Sequence, residues 1–361
     1  MLTRIYIDNF RSFVNFEYRP NNKQLLLGAS GSGKSSLLDA LQYVKWFIDG
    51  DENPFTQSSH TRWQNKPLQV VEIEASLLGK KFEYRVEIRS GTPSVNLEVL
   101  KVSGTTVFEL ANGEISFFSD GNDKATAIPV AMARSALHLS QLSNSHVRTF
   151  VDWIDRLHCF RMDTYPDEME ESADNEERRP DYELGNLASW YSHLVQAYPD
   201  ENVVFIEALR EALDGFQTLR FSSEEDGVKK LRADFSGPAK KKVSYSLSEL
   251  SEGQRSLVGL YMILHFVISK GDTVFIDEPD NFVSLREIQP WLQAAEEAVE
   301  DHHGQLILIS HHPEILNQWA LRHGLRFFRD HNGHVRTEIF KADPKGTLQP
   351  SELIARGWED A

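Results

Sequence analysis

Three short stretches of this 361-residue chain combine residue types in ways that suit phosphoryl chemistry. The first is Gly28-Ala-Ser-Gly-Ser-Gly33-Lys34-Ser35, of the form G-x-x-x-x-G-K-[ST], entered from the apolar run Leu25-Leu26-Leu27. Its glycines let backbone N–H groups turn inward around a phosphate chain without Cβ clashes. Lys34 supplies a compact positive charge for the outer phosphates, and the Ser35 hydroxyl is placed to ligate Mg2+. Ser30, Gly31, Ser32, Gly33, Lys34, Ser35 and Ser36 are therefore the candidate nucleotide-binding set. The second stretch, Asp277-Glu278-Pro279-Asp280, closes the apolar run Thr273-Val-Phe-Ile276. Two carboxylates at the end of a buried strand can divide the work: Asp277 holds the hydrated Mg2+, and Glu278 orients and polarises an attacking water. The third stretch, Ser310-His311-His312-Pro313, follows the apolar run Gln305-Leu-Ile-Leu-Ile309 and brings imidazoles that titrate near neutral pH.

These residues need strands that end, and helices that begin, where the chemistry is. Leu37, Leu38, Leu41, Val44, Phe47 and Ile48 recur at helical spacing after the loop and stop at Asp49-Gly50, so the loop opens a helix whose N-terminal dipole faces the anion. Ser251-x-x-Gln254 is a capping box that opens an apolar helix from Ser256 to Ile268. A further helix is expected from about Leu285 to Glu300, ending near Gly304. Between residues 66 and 118 the period changes to two. Val71, Ile73, Ala75 and Leu77 alternate with polar residues before a turn at Leu78-Gly79-Lys80-Lys81, Phe82, Tyr84, Val86 and Ile88 alternate after it, and a second hairpin turns at Asn112-Gly113. Residues 129 to 215 read mainly as helices, with Val151-Trp153-Ile154-Leu157 and Leu187-Trp190-Tyr191-Leu194-Val195 at helical spacing. Two short strands around Asn332-Gly333 form the tail, before a last segment that reaches Trp358.

Composition narrows the partners. A net charge of −16 does not favour nucleic-acid binding, which draws its affinity from Lys and Arg neutralising phosphates. Lys240-Lys241-Lys242 is the densest basic run and reads either as a local basic face or as a solvated loop beside a strand. Eight carboxylates between Asp163 and Glu177 form the opposite extreme. No apolar run approaches the roughly 20 residues that span a bilayer, and the single cysteine, Cys159, fits a reducing cytosol, so a cytoplasmic protein without a membrane part is expected. The adjacent pairs His302-His303 and His311-His312 lack ligand spacing, and no transition metal is assigned.

The opening Asn9-Phe10-Arg11-Ser12-Phe13, followed closely by a strand and Gly28-Ala-Ser-Gly-Ser-Gly-Lys-Ser-Ser-Leu-Leu-Asp-Ala-Leu41, resembles the head of the SMC-like and OLD-type ATPases, relatives of ABC ATPases that act without a membrane domain. The resemblance implies an α/β fold: a P-loop NTPase of the ABC/SMC-like head type with an antiparallel β layer and a helical insertion. It places the ATPase core at 1–65 and 240–361, the β layer at 66–125, and a mainly helical insertion with the acidic segment at 126–239. It puts Arg11 near the nucleotide. Leu247-Ser-Glu-Leu-Ser251-Glu-Gly253-Gln254-Arg255 is similar to the ABC signature, so Ser251, Gly253 and Gln254 are expected at the γ-phosphate held by a second subunit. His311 takes the place of the switch histidine, and Gln141 is a candidate Mg2+-sensing glutamine beside the plainer reading of a surface residue.

The sequence also departs from that pattern. Ala29-Ser30 stands where Pro-Asn is more usual, Glu252 stands where transporters usually carry glycine, and Asp280-Asn-Phe-Val-Ser284 lacks the Glu and His of many OLD-type relatives. There is no sustained heptad for a long coiled coil, and the stretch after the switch is too short for the Toprim domain of OLD nucleases. The resemblance thus implies an ATP- and Mg2+-dependent ATPase, a homodimer or higher homo-oligomer around ATP. It would control a separately encoded protein effector, as stand-alone ATPases of prokaryotic anti-phage systems do. The alternatives are a DNA-repair type ATPase that clamps DNA, the motor of a transporter, and a sensor that uses ATP only as a conformational latch.

Overall fold

The computed structural model describes the chain except residues 51–53, 56–58, 90–93, 119–125, 130–133, 142, 163–168, 174, 224–228, 238–240, 343–347 and 358–361. Lys240, Trp358 and the 163–168 part of the acidic segment lie outside the described residues. Packing divides the chain into two units, Met1–His158 with His323–Lys341, and Cys159–Arg322 with Ala342–Ala361. The two tail strands, within His323–Lys341, pack with the N-terminal half.

The first unit holds an eight-stranded antiparallel sheet in the order Phe16–Tyr18, Leu2–Asp8, Leu68–Leu77, Lys80–Arg89, Ser94–Val102, Thr105–Ala111, Glu114–Phe117 and Thr126–Pro129. Both expected hairpins form, with Ile73 opposite Tyr84 in one and Leu110 opposite Ile115 in the other. Their turns work because Leu78-Gly79 and Asn112-Gly113 all take positive φ, the backbone twist that a two-residue hairpin turn requires. The strand Ser94–Val102 between them is not visible in the alternation. A register shift between Leu100 and Lys101 puts Val99, Leu100 and Val102 all in the buried class, which breaks the period of two.

In the same unit Lys23–Leu27 pairs in parallel with Gly324–Arg329, which pairs antiparallel with Val335–Ile339. The helix Lys34–Asp49 runs from Gly33 to a left-handed cap at Gly50, whose N–H reaches the Phe47 and Trp46 carbonyls. Its six periodic side chains are all buried. The helix Ser145–Asp155 is shorter than its spacing predicts, since Leu157 begins a strand, Leu157–Arg161. Lys45 Nζ donates to the carbonyls of Asp155 and Leu157 at that junction, giving the helix end a cationic partner.

The second unit contains the parallel strands Thr273–Asp277 and Gln305–Ile309, buried at every position. The helices Glu252–Phe266 and Leu285–Asp301 pack together, pinned by Trp291 Nε1 donating to the Leu260 carbonyl at 2.9 Å. The stretch expected to be mainly helical does contain Leu187–Ala197 and Pro199–Ala212. Beyond them it turns into Phe216–Ser223, Lys229–Ser236 and Lys242–Ser246, an antiparallel meander. Leu231, Ala233 and Phe235 alternate inward there, and Lys242 pairs with the buried Asp234 carboxylate at 2.7 Å. That pairing puts Lys242 at the start of a strand and favours the reading of the run as a loop beside one. Among the described residues no helix is long and apolar enough to cross a membrane.

Candidate nucleotide site

The phosphate loop belongs to the first unit and is built as a cradle. Gly28, Gly31 and Gly33 all have positive φ. A Cβ added to Gly28 would lie 2.1 Å from the Phe327 carbonyl oxygen, and one added to Gly33 would meet Val335 Cγ2 at 2.9 Å. Only glycine satisfies both the torsion and the space at these two positions. The loop tip, Ala29 to Gly31, is exposed, and a Cβ at Gly31 would meet nothing within 4 Å. Ser32 donates its N–H to the Ala29 carbonyl, which tightens the turn, and its Oγ is buried without a hydrogen-bond partner among the described residues. Lys34 is buried and its ammonium donates to the carbonyls of Gly28 at 2.7 Å and Ala29 at 3.2 Å. Ser35 and Ser36, half-buried, stand in the first turn of a helix with no side-chain N-cap, so the end of that helix faces the loop with its dipole unscreened by a cap. An open tip, an orphaned hydroxyl and an uncapped helix end fit a phosphate ligand.

Arg11 sits at φ 48° beside this helix, with its guanidinium paired to Asp39 and its N–H donating to the Ser59 carbonyl at 2.6 Å. Asp39 lies on the loop helix itself, five residues after Lys34. Gln141 ends the short helix Leu137–Ser140, and its amide meets His138 Nδ1.

The second unit assembles the other expected residues. Asp277 is the last residue of its strand and is almost wholly buried. Glu278 follows at φ 55°, a left-handed conformation uncommon for a side chain of this kind, held by its N–H donating to the Ile309 carbonyl at 2.9 Å. His311 Nε2 lies 3.9 Å from Glu278 Oε1. The two histidines are therefore distinct: His312 Nδ1 accepts from the Glu314 N–H and caps the helix Pro313–His323, whereas His311 faces the carboxylate. Ser251 caps Glu252–Phe266 in a reciprocal box, accepting from the Gln254 N–H at 3.3 Å while its own N–H donates to Gln254 Oε1 at 3.0 Å. Ser251 is exposed, and its hydroxyl proton is left to donate outward. Gly253 is required by contact, since a Cβ there would come within 2.7 Å of the Phe282 carbonyl oxygen.

Several contributors are not apparent from the motifs. Arg329 Nε donates to the Gly31 carbonyl at 2.9 Å from 298 residues away, and Phe327 and Val335 wall the loop glycines. Ser310, fully buried, donates to Asp280 at 2.6 Å and accepts from the His312 N–H at 3.0 Å, which fixes Asp280 to the strand end that carries His311. Contacts of such sequence separation leave no local period. The one available signal was that Ser310 and Asp280 each follow a buried strand.

No curated protein matches the chain. Solved structures do match in fold. One is an SMC head bound to the C-terminal winged-helix domain of ScpA, 12% identical, with 96% of this chain and 99% of that one covered at a TM-score of 0.61. Another is an SMC head with an extended coiled coil bound to the C-terminal domain of ScpA, from Pyrococcus furiosus, 11% identical, with 99% of each chain covered at a TM-score of 0.59. The fold is that of an SMC head. Over residues 25–317 the sequence matches one family, and the chain belongs to it: "AAA domain, putative AbiEii toxin, Type IV TA system".

Proposed function

We propose that this protein binds and hydrolyses ATP with Mg2+, dimerises around the nucleotide, and controls a separately encoded effector in a phage-defence or toxin-like system. The observation that carries the catalytic part is the glycine-only cradle with Lys34 folded onto the Gly28 and Ala29 carbonyls. Lys34 exchanges those carbonyls for phosphate oxygens, and the loop N–H groups from Ser30 to Ser36 accommodate the remaining charge. Ser35 and Asp277 would hold Mg2+, which offsets charge on the phosphates when bound. Glu278 orients the attacking water, and its strained backbone fixes the direction in which the carboxylate points. His311, 3.9 Å from that carboxylate, is the group that would register the γ-phosphate. Ser251, Gly253 and Gln254 would complete the site of a second copy, the serine hydroxyl donating to its γ-phosphate. Arg11 would act through Asp39 on the loop helix.

In this reading 1–65 and 240–361 supply the ATPase core, with 66–125 covering it, and the segment 126–239 is the place for effector specificity. The family description, with its toxin and type IV system, supports an effector-coupled role. The net charge of −16 argues against the DNA-clamp alternative.

Two variants test the proposal. Lys34→Ala is expected to lose ATP affinity in equilibrium binding. Glu278→Gln is expected to keep ATP binding, abolish turnover, and accumulate as an ATP-bound dimer in light scattering. Full turnover by Glu278→Gln would refute its role, and undiminished ATP binding by Lys34→Ala would refute the site.

A further inference from the structure

A cavity of about 710 Å3 lies within the second unit between the end of the helix Pro199–Ala212, the helix Glu252–Phe266 and the start of Leu285–Asp301. The phosphate-handling roles above touch it only at Gln254, which, like Glu287 on the same wall, closes the capping box of its own helix. Its volume is that of a site for a whole small molecule, where pockets run from about 300 to 1,000 Å3.

The chemistry of the wall selects the ligand. Glu211, Asp214 and Glu287 contribute three carboxylates against one guanidinium, Arg286. Glu287 is engaged by the Ser284 N–H and hydroxyl, so Glu211 and Asp214 are the uncommitted pair, with no ion pair or hydrogen bond to their side chains among the described residues. Tyr261, 6% exposed, lines the same cavity with a hydroxyl that has no hydrogen-bond partner among the described residues. Burial and the nearby Glu211 charge both raise its pKa, which keeps it a neutral phenol and a donor or acceptor at pH 7. His265, whose buried Nε2 has no hydrogen-bond partner among the described residues, is pushed down to about 4 by burial and stays uncharged, so it adds no positive charge to the wall. Pro290, inside its helix, cannot donate to the carbonyl four residues back, which leaves the Arg286 carbonyl without its helical N–H donor beside the cavity. Ala212, Leu264 and Ala294 make the rest of the wall apolar. Acceptors outnumber donors, net charge is negative, and apolar side chains line the rest, a set that suits a cation on an aliphatic stem.

We propose that this cavity binds a small organic cation, an alkyl guanidinium or alkylammonium, held by Glu211 and Asp214 with its stem along the alanines and Tyr261. Binding there does not depend on the chain's being an ATPase. Isothermal titration of the full chain with n-butylguanidinium, and with its neutral isostere n-butylurea, tests it. The expected result is saturable binding of butylguanidinium at one per chain, little or no binding of butylurea, and at least tenfold weaker binding of the cation by the exposed-site double variant Glu211→Gln/Asp214→Asn. Circular dichroism shows whether that variant remains folded, and Tyr261→Phe, which removes only the hydroxyl, is expected to weaken binding severalfold. No saturable heat at millimolar cation, equal binding of butylurea, or unchanged binding by a folded double variant would overturn the proposal.

Discussion

Gly28 shows how a residue can be fixed by space before any ligand arrives. Its φ of 135° and the Phe327 carbonyl 2.1 Å from a would-be Cβ leave an alanine no place without moving a strand. Gly28→Ala is expected to cost on the order of 3 kcal/mol in urea unfolding and to lose ATP binding, because the same shift opens the cradle. Glu98 poses a different constraint. It is fully buried and accepts from Tyr84 and Ser135 hydroxyls and from the Ala136 N–H, yet burial outweighs these donors and pushes its carboxyl up to about 7. A folded pKa above the unfolded one means that the folded state holds the proton more tightly. The contribution of this group to stability is therefore complete below about pH 4.5 and is lost as pH rises to about 7, on the order of 3 kcal/mol in all. Glu98→Gln is expected to flatten that part of the stability profile, measured as unfolding free energy at pH 5 and pH 7, and an unchanged slope would assign the dependence elsewhere.

Among the elements, the signature helix carries two separable constraints. Ser251→Ala removes the cap acceptor for the Gln254 N–H and is expected to cost about 1 kcal/mol. Gly253→Ala drives a Cβ against the Phe282 carbonyl and is expected to cost more, in the same denaturant titration. The elements that carry these residues were legible where a local rule acts. The capping box named the start of that helix, Gly50 the end of the loop helix, and unbroken apolar runs the strands Thr273–Asp277 and Gln305–Ile309. The misses have local causes too. The strand Ser94–Val102 carries a bulge, and Phe216–Ser223 shifts register between Phe216 and Thr218, so neither keeps a clean period of two. Leu157 continued a helical spacing that the chain abandons at Asp155. The ties of Arg329 to Gly31 and of Ser310 to Asp280 could not be read at all, since they join segments distant in sequence.

For the whole molecule, the claim that matters is shared construction of the nucleotide site. The phosphate loop with Lys34 and the acidic pair Asp277-Glu278 would serve a nucleotide from one copy, with Ser251 supplied by the other, an arrangement carried by the resemblance to SMC-like heads. A charge of −16 on each copy opposes association at low ionic strength, so in the proposed dimer the contacts to nucleotide would have to offset it, and dimerisation without nucleotide is expected to strengthen as salt screens the repulsion. The most direct measurement mixes two variants, each silent alone: Glu278→Gln, defective in its own catalytic half, and Ser251→Arg, defective in what it offers a neighbour. The account predicts that the mixture regains ATP turnover, because one of the two sites in a mixed dimer combines an intact Glu278 with an intact Ser251. A mixture that forms mixed dimers and remains as silent as its parents would contradict it.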